Sequence, residues 1–316
     1  RAVMTPEPRR SFARLSLSPG NSPLLLGLGL LRLLILLPYR AQLTLGRGLG
    51  ALMYRLIPKR RHVAATNIAL CFTELDAAAQ ADILREHFAS LGIAVFELGL
   101  AWWGSERRVA RLTHIDGLEN LTAELEAGHG IVLLSAHFAA TELTGRKLVL
   151  DVPEMAAMYR SNKNELMDEV LRRSRLKSVR QLIPKDDMRQ MIRVLRKGGV
   201  PVWYASDQSY RHKYHELVPF FGEPAMTNAA LSHIVRISKA KVVPYLPRRL
   251  PDGSGYHVDI LPAFDDFPGE SPAADAERVN RLLEERIRLA PEQYYWVHRR
   301  FKDRPPPLTD PYRAAG

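Results

Sequence analysis

His137 closes the apolar run Ile131-Val132-Leu133-Leu134-Ser135-Ala136, and Glu142 follows it at the fifth position. An imidazole placed there can take a proton from a hydroxyl, while a nearby carboxylate fixes its tautomer and stabilises the developing imidazolium. That is the opening step of acyl transfer to an alcohol. On one continuous helix, five positions rotate a side chain by roughly 500°, so the two residues would face apart. They meet only if His137 lies in a strand-to-helix loop and Glu142 in the first helical turn, where a negative charge also suits the helix dipole. A half-buried histidine beside an ordinary first-turn glutamate produces the same short pattern, so the surroundings must decide.

The elements needed to position the pair are legible from Leu118 onward. A helix over Leu118 to Ala127 is broken by Gly128 and Gly130, and the buried strand ending at His137 follows. Further strands are expected at Glu154 to Tyr159, Val200 to Tyr204, Lys241 to Leu246 and Tyr256 to Leu261. Helical spacing appears at Leu166 to Leu176, Asp187 to Lys197, Asn228 to Ser238 and Ala274 to Leu289. This alternation predicts an α/β sheet covered by helices, with Pro251-Asp252-Gly253-Ser254-Gly255 as a hairpin turn near one edge. Upstream, Asp76 to Trp103 has helical character, and its terminal Trp102-Trp103 pair suits either a membrane interface or a core.

The segment Leu134-Ser135-Ala136-His137-Phe138-Ala139-Ala140-Thr141-Glu142-Leu143-Thr144-Gly145-Arg146 resembles the first block of the lysophospholipid and lipid A acyltransferase superfamily. Tyr159-Arg160-Ser161-Asn162-Lys163-Asn164 resembles the second block, and Trp203-Tyr204-Ala205-Ser206-Asp207-Gln208 the third. Val243-Pro244-Tyr245, Pro251-Asp252-Gly253, Ala290 to Tyr294 and Trp296 to Lys302 continue the likeness, which runs from about Leu24 to Arg304. The chain is thereby similar to the late lipid A acyltransferases, the lauroyl and myristoyl transferases of Gram-negative bacteria. Ser161 and Ser206 stand where that family usually has proline, which bears on substrate-channel loops more than on the reacting groups.

The resemblance implies a glycerolipid-acyltransferase-like fold with an N-terminal membrane-associated helical segment. It also implies a fatty acyl thioester of acyl carrier protein as donor and a lipid A precursor of the Kdo-lipid IVA type as acceptor, giving an acyloxyacyl product. In this scheme His137 is the general base, Glu142 its orienter, and Arg160 either stabilises the oxyanion or grips an acceptor phosphate. Asp207 either positions a sugar hydroxyl or holds Arg160, and Asn162 and Arg146 join it in binding substrate. No metal or redox cofactor is required. Acylation of another glycolipid, such as a phosphatidylinositol mannoside, thioester hydrolysis, and a non-enzymatic basic membrane-binding role are the alternatives.

Composition is compatible with one large α/β unit carrying an amino-terminal appendage. The chain has 316 residues, 46% of them hydrophobic, ordinary for a globular protein and too few for a polytopic membrane protein. Its one cysteine, Cys71, allows neither an internal disulfide nor a cysteine-rich metal site. Leu24 to Leu37 forms a leucine-rich run interrupted by Arg32, and fourteen helical residues reach roughly 21 Å, short of the roughly 30 Å of a bilayer core. We therefore expect residues 1–60 to act as an uncleaved anchor or in-plane helix; the resemblance implies that residues 61–316 form the acyltransferase domain, facing the cytoplasm at a bacterial inner membrane. Lys59-Arg60-Arg61 fits anionic headgroups.

The net charge of +11 is unevenly placed. Between Asp187 and Lys197, Met188, Met191, Ile192 and Leu195 follow helical apolar spacing, while Arg189, Arg193, Arg196 and Lys197 point elsewhere. With Arg172, Arg173, Arg175, Lys177 and Arg180 just upstream, this patch suits acyl carrier protein or acidic lipid headgroups, or is merely solvated. No signature supports nucleic acid as partner. Other catalytic constellations fail: Gly253-Ser254-Gly255 belongs to a turn rather than a nucleophile elbow, and His212 and His215 sit in a charged loop without accompanying ligands.

Overall fold

The computed structural model describes residues 12–16, 18–177, 179–208 and 214–313. Its amino-terminal part is helical: α1 (Phe12–Ser16), α2 (Ser22–Leu34), α3 (Tyr39–Leu56), α4 (Pro58–Cys71), α5 (Ala77–Trp103) and α6 (Glu106–Leu112). Alternation then begins with β1 (Thr113–Asp116), α7 (Leu118–Glu126), β2 (Ile131–Ser135), α8 (Thr141–Asp151), β3 (Ala156–Tyr159), α9 (Glu165–Arg175), β4 (Gln181–Pro184), α10 (Met188–Lys197) and β5 (Val202–Ala205). A two-stranded hairpin of β6 (His215–Phe220) and β7 (Glu223–Asn228) precedes α11 (Ala230–Ser238), β8 (Lys241–Arg249), β9 (Tyr256–Ile260) and α12 (Pro272–Leu289).

Seven strands form one sheet in the order β1-β9-β8-β2-β5-β3-β4. Every neighbouring pair is parallel except β8 and β9, which the expected 251–255 turn connects. The central strand β2 is buried along its whole length. Val132 and Leu134 enter the core shared with α4, α10, α11 and α12, while Ile131 and Leu133 pack on the opposite face against Leu121 and Leu148. Both faces being covered explains why this strand reads as an unbroken apolar run rather than an alternating one.

The helical part differs from the sequence expectation in its details. The leucine run is not one fourteen-residue helix, because α2 stops at Leu34 and the chain turns through Pro38 into α3. Gln42 Nε2 donates to the carbonyls of Ile35 and Leu37, both at 2.8 Å, and Arg108 reaches the same two carbonyls. Those bonds satisfy helix-end groups that would otherwise lack partners and so fix the elbow. Among the described residues no helix is long and apolar enough to cross a membrane.

Helix α3 lies directly on α5 through glycines. A Cβ on Gly92 would meet Gly46 O at 2.1 Å, and one on Gly50 would meet Phe88 O at 2.2 Å, so only glycine permits this approach. Trp102, one of the two tryptophans that suit an interface, is a core residue at 4% exposure beside Ile35 and Leu100. Beneath α3, Arg249 meets Glu97 at 2.5 Å and Ser90 Oγ at 2.7 Å, a buried ion pair that ties α5 to β8.

Candidate active site

The parallel register of β2 and β5 builds the site. Ser135 pairs with Ala205, so the second residue beyond each strand's carboxyl end, His137 and Asp207, emerge side by side. His137 Nδ1 lies 2.7 Å from Asp207 Oδ1, and the His137 backbone N–H donates to Asp207 Oδ2 at 3.1 Å. One carboxylate therefore holds both the imidazole and its backbone. With Nδ1 engaged, Nε2 is the nitrogen left to receive a proton.

The environments of the two groups are unequal. The His137 side chain is 39% exposed and that of Asp207 is 2% exposed. Burial lowers the pKa of His137, but the charge and hydrogen bond of Asp207 outweigh it, so the imidazole stands above its ordinary value. Burial likewise raises Asp207, yet His137 and backbone hydrogen bonds bring it below the usual carboxylate range. Burial first, and then the charge of Asp207, push the hydroxyl of neighbouring Tyr294 well up. His298 is depressed to about 4, chiefly by burial and then by Lys302, and so stays neutral beside the pair.

Glu142 does not orient His137. It begins α8, as expected, but Arg175 takes both of its oxygens, Nε to Oε1 at 2.9 Å and Nη2 to Oε2 at 2.7 Å. A fork of this kind is a strong, directional ion pair, and it fastens α8 to α9. Two further expectations change with it. Arg175 is not part of a solvated patch, Arg172 and Arg173 pair with Glu169, and Arg180 pairs with Glu154, so much of the upstream charge is neutralised within the fold. Arg146 donates to the carbonyls of Leu100 and Ala101 at 3.1 and 2.9 Å, anchoring α8 to the end of α5, and it also lines the cavity described below. Asp207 holds His137 rather than Arg160.

Arg160 and Asn162 are exposed just beyond the carboxyl end of β3, which pairs with β5 and so opens toward the same end of the sheet as His137. The backbone of Asn162 donates to Asp168 Oδ1 at 2.7 Å, which shapes this loop. Arg189, Arg193, Arg196 and Lys197 are exposed on α10 while Met191 and Leu195 are buried, as the spacing requires. The Arg196 guanidinium also bonds the carbonyl of Ile237. His215 lies in β6, and His212 falls outside the described residues.

Two features were not legible as site components. Trp203 of β5 stands edge-on to the His137 ring, 6.4 Å between centroids. It also lines a cavity of about 720 Å³, partly open to solvent, between the sheet and helices α5, α8 and α9. Its walls are largely apolar, from Trp102, Leu148, Val149, Met155 and Met158, with Gly145 on one side and the Glu142–Arg175 pair at its polar part. The second feature is a clamp on the His137 loop from residues 293–298. Tyr295 N donates to His137 O, Ala139 N donates to Gln293 O, and Phe138 bridges to Tyr294. Asn67 of α4 in turn holds the carbonyls of Trp296 and His298, at 2.6 and 2.7 Å, and Tyr312 O–H donates to Asn67 Oδ1 at 2.5 Å while accepting from Phe301 N.

An oriented imidazole thus stands at the carboxyl end of parallel strands, where open α/β sheets favour ligands, one ring away from a largely apolar cavity. Residues 9–303 match the family model described as bacterial lipid A biosynthesis acyltransferase. The lipid A biosynthesis lauroyltransferase of Escherichia coli (strain K12) is 37% identical over 288 residues, covering 91% of this chain and 94% of that protein. The lipid A biosynthesis palmitoleoyltransferase of the same organism is 36% identical over 299 residues, covering 94% and 97%. A lipid A biosynthesis acyltransferase of Haemophilus influenzae is 35% identical, covering 90% and 91%. The chain belongs to the bacterial lipid A biosynthesis acyltransferase family and is an O-acyltransferase.

Proposed function

We propose that this enzyme transfers a fatty acyl chain from an acyl-carrier-protein thioester to a hydroxyl of a Kdo-lipid IVA-type precursor, with His137 and Asp207 as the working pair. The observation that carries this mechanism is the 2.7 Å contact between His137 Nδ1 and a buried carboxylate, which leaves Nε2 for the acceptor. His137 Nε2 takes the acceptor hydroxyl proton as the oxygen attacks the thioester carbonyl. The carbon–sulfur bond then breaks, and the imidazolium returns the proton to the departing thiolate. Asp207 stabilises the imidazolium while it exists. Glu142 and Arg175 act at the cavity mouth by holding α8 against α9.

The donor's hydrocarbon tail enters the cavity beside Trp203, because that space is largely apolar and lies one ring away from His137. Arg160, with Asn162 in the same loop, supplies positive charge for the oxyanion or an acceptor phosphate. Leu26, Leu30, Leu33, Leu36, Leu52 and Leu56 are exposed along α2, the elbow and α3. They form an in-plane surface that rests on the cytoplasmic leaflet of the inner membrane, with residues 1–60 as the docking segment and 61–316 as the catalytic domain.

The test is a mass measurement. Purified protein given acyl-carrier-protein thioester and tetra-acylated precursor should add the mass of one acyl chain, and His137→Ala should abolish the gain in a folded protein. Release of free fatty acid with no gain in precursor mass would replace transfer by hydrolysis. Turnover retained in His137→Ala would reject the mechanism.

A further inference from the structure

The outer parallel pair of the sheet, β1 with β9, presents a second group of histidines and carboxylates. Register places His114 opposite His257 and Asp116 opposite Asp259, and the period of two puts all four on one face. His114 Nε2 lies 2.7 Å from Asp116 Oδ1, and His257 Nε2 lies 2.8 Å from Asp116 Oδ2. One ligand atom from each of these three residues can be chosen within 4.8 Å of the others. Tetrahedral zinc, with bonds of about 2.0–2.1 Å, needs donors about 3.3 Å apart. His114 and Asp116 are 71% and 59% exposed, so small rotations suffice to close the set.

The atoms behind this triad are arranged as a ligand support. His257 Nδ1 is buried and lacks a hydrogen-bond partner, and it faces Asp259 Oδ1 at 3.5 Å. The other oxygen of Asp259 is held by Arg248 at 2.8 Å and approached by Arg286 at 3.5 Å. Asp259 is thus pinned with one free oxygen toward Nδ1. A carboxylate on the far nitrogen of a histidine is the usual support for a metal-bound imidazole, since it fixes the tautomer and leaves Nε2 for the ion. The group is separate from the acyl-transfer site: β9 and β8 stand between β1 and β2.

We propose that His114, Asp116 and His257 bind one divalent transition-metal ion of the zinc type, with Asp259 positioning His257 and water completing the coordination. Two imidazoles and one carboxylate suit zinc and its neighbours, whereas magnesium and calcium favour all-oxygen sets. The bound ion clips β1 to β9. It thereby fastens the sheet's edge strand, which begins immediately after α6.

The experiment uses untagged, chelator-treated full-length chain and Zn²⁺ alone, followed by calorimetry and metal analysis after desalting, with Co²⁺ absorption reporting the coordination geometry. One Zn²⁺ per chain is expected, lost in His114→Ala and in His257→Ala, and weakened about 10–100-fold in Asp259→Asn. Exposed His114 keeps the test valid if His257→Ala fails to fold. Acyl transfer by metal-free His114→Ala should match that of the unaltered enzyme. Absence of stoichiometric Zn²⁺ binding, or unchanged binding in His114→Ala, would overturn the assignment.

Discussion

Asp207→Asn isolates the contact on which the mechanism turns. The amide keeps the size of the carboxylate but presents an N–H or a neutral oxygen to His137 Nδ1, which now sits 2.7 Å from an ionised oxygen. A hydrogen bond to a charged group is worth about 1.5–3 kcal/mol, and at about 1.4 kcal/mol per tenfold this sets a floor of roughly 10- to 150-fold in kcat. If the amide N–H turns to Nδ1, the imidazole is driven to the tautomer that cannot accept at Nε2, and the loss rises toward the roughly 10⁴-fold found for an equivalent change in hydrolytic triads. The pH profile gives an independent readout. Burial lowers the imidazole pKa and Asp207 more than offsets it, so the unaltered enzyme gains activity as pH rises through a value above that of an ordinary histidine. In Asp207→Asn the opposing influence is gone, and the ascending limb must move to lower pH while the plateau falls. Steady-state transfer assays between about pH 5 and 9 measure both quantities. A plateau within threefold of the unaltered enzyme, or an unmoved limb, would refute the pairing. Glu142→Gln serves as the contrast, since Arg175 rather than His137 holds that carboxylate and its ascending limb should stay in place.

Gly145 lines the cavity, and a Cβ added there meets no atom within 4 Å, so Gly145→Leu has room to leave the backbone and should project into the cavity. Competition between donors of different length should then favour the shorter chain by about 10- to 200-fold per excluded methylene, and unchanged selectivity would remove this cavity as the tail's seat. Glu97→Ala leaves buried Arg249 without its counter-charge, and chemical denaturation should show a loss of about 3–5 kcal/mol. Reversal of Arg189 and Arg193 to glutamate, sparing Arg196 because it bonds Ile237 O, should raise the apparent KM for the acyl-carrier-protein donor at low salt and less so at high salt. Equal KM at low ionic strength would exclude α10 as the docking helix.

The fold was legible wherever a segment carried one clear period. The β2 run, α5 with its Asp76 cap and the α10 stripe all lie close to their expected bounds. Short strands such as Thr113–Asp116 and Gln181–Pro184 carry too few residues for a period, and they exist because the sheet offers them neighbours. At the site, sequence proximity singled out His137 and then suggested the wrong carboxylate. Glu142 is near along the chain, but Asp207 is near through a parallel strand pairing offset by seventy positions, and such pairing leaves no local trace. Arg175 reads in the sequence as one member of a basic patch, docking or solvated, because its partner lies on a different helix. The third sequence block, Trp203 to Gln208, did contain both Trp203 and Asp207, so the signal was present without its geometry.

The clamp on the histidine loop has a consequence for how the enzyme is made. His137 leaves the ribosome well before the strand bearing Asp207, and both precede the 293–298 segment and Tyr312 that hold the loop from outside. Translation exposes residues in that order, so a nascent chain contains His137 before either the carboxylate or the clamp that hold it. The histidine loop therefore gains its outermost support only near the end of synthesis, when Tyr312 reaches Asn67.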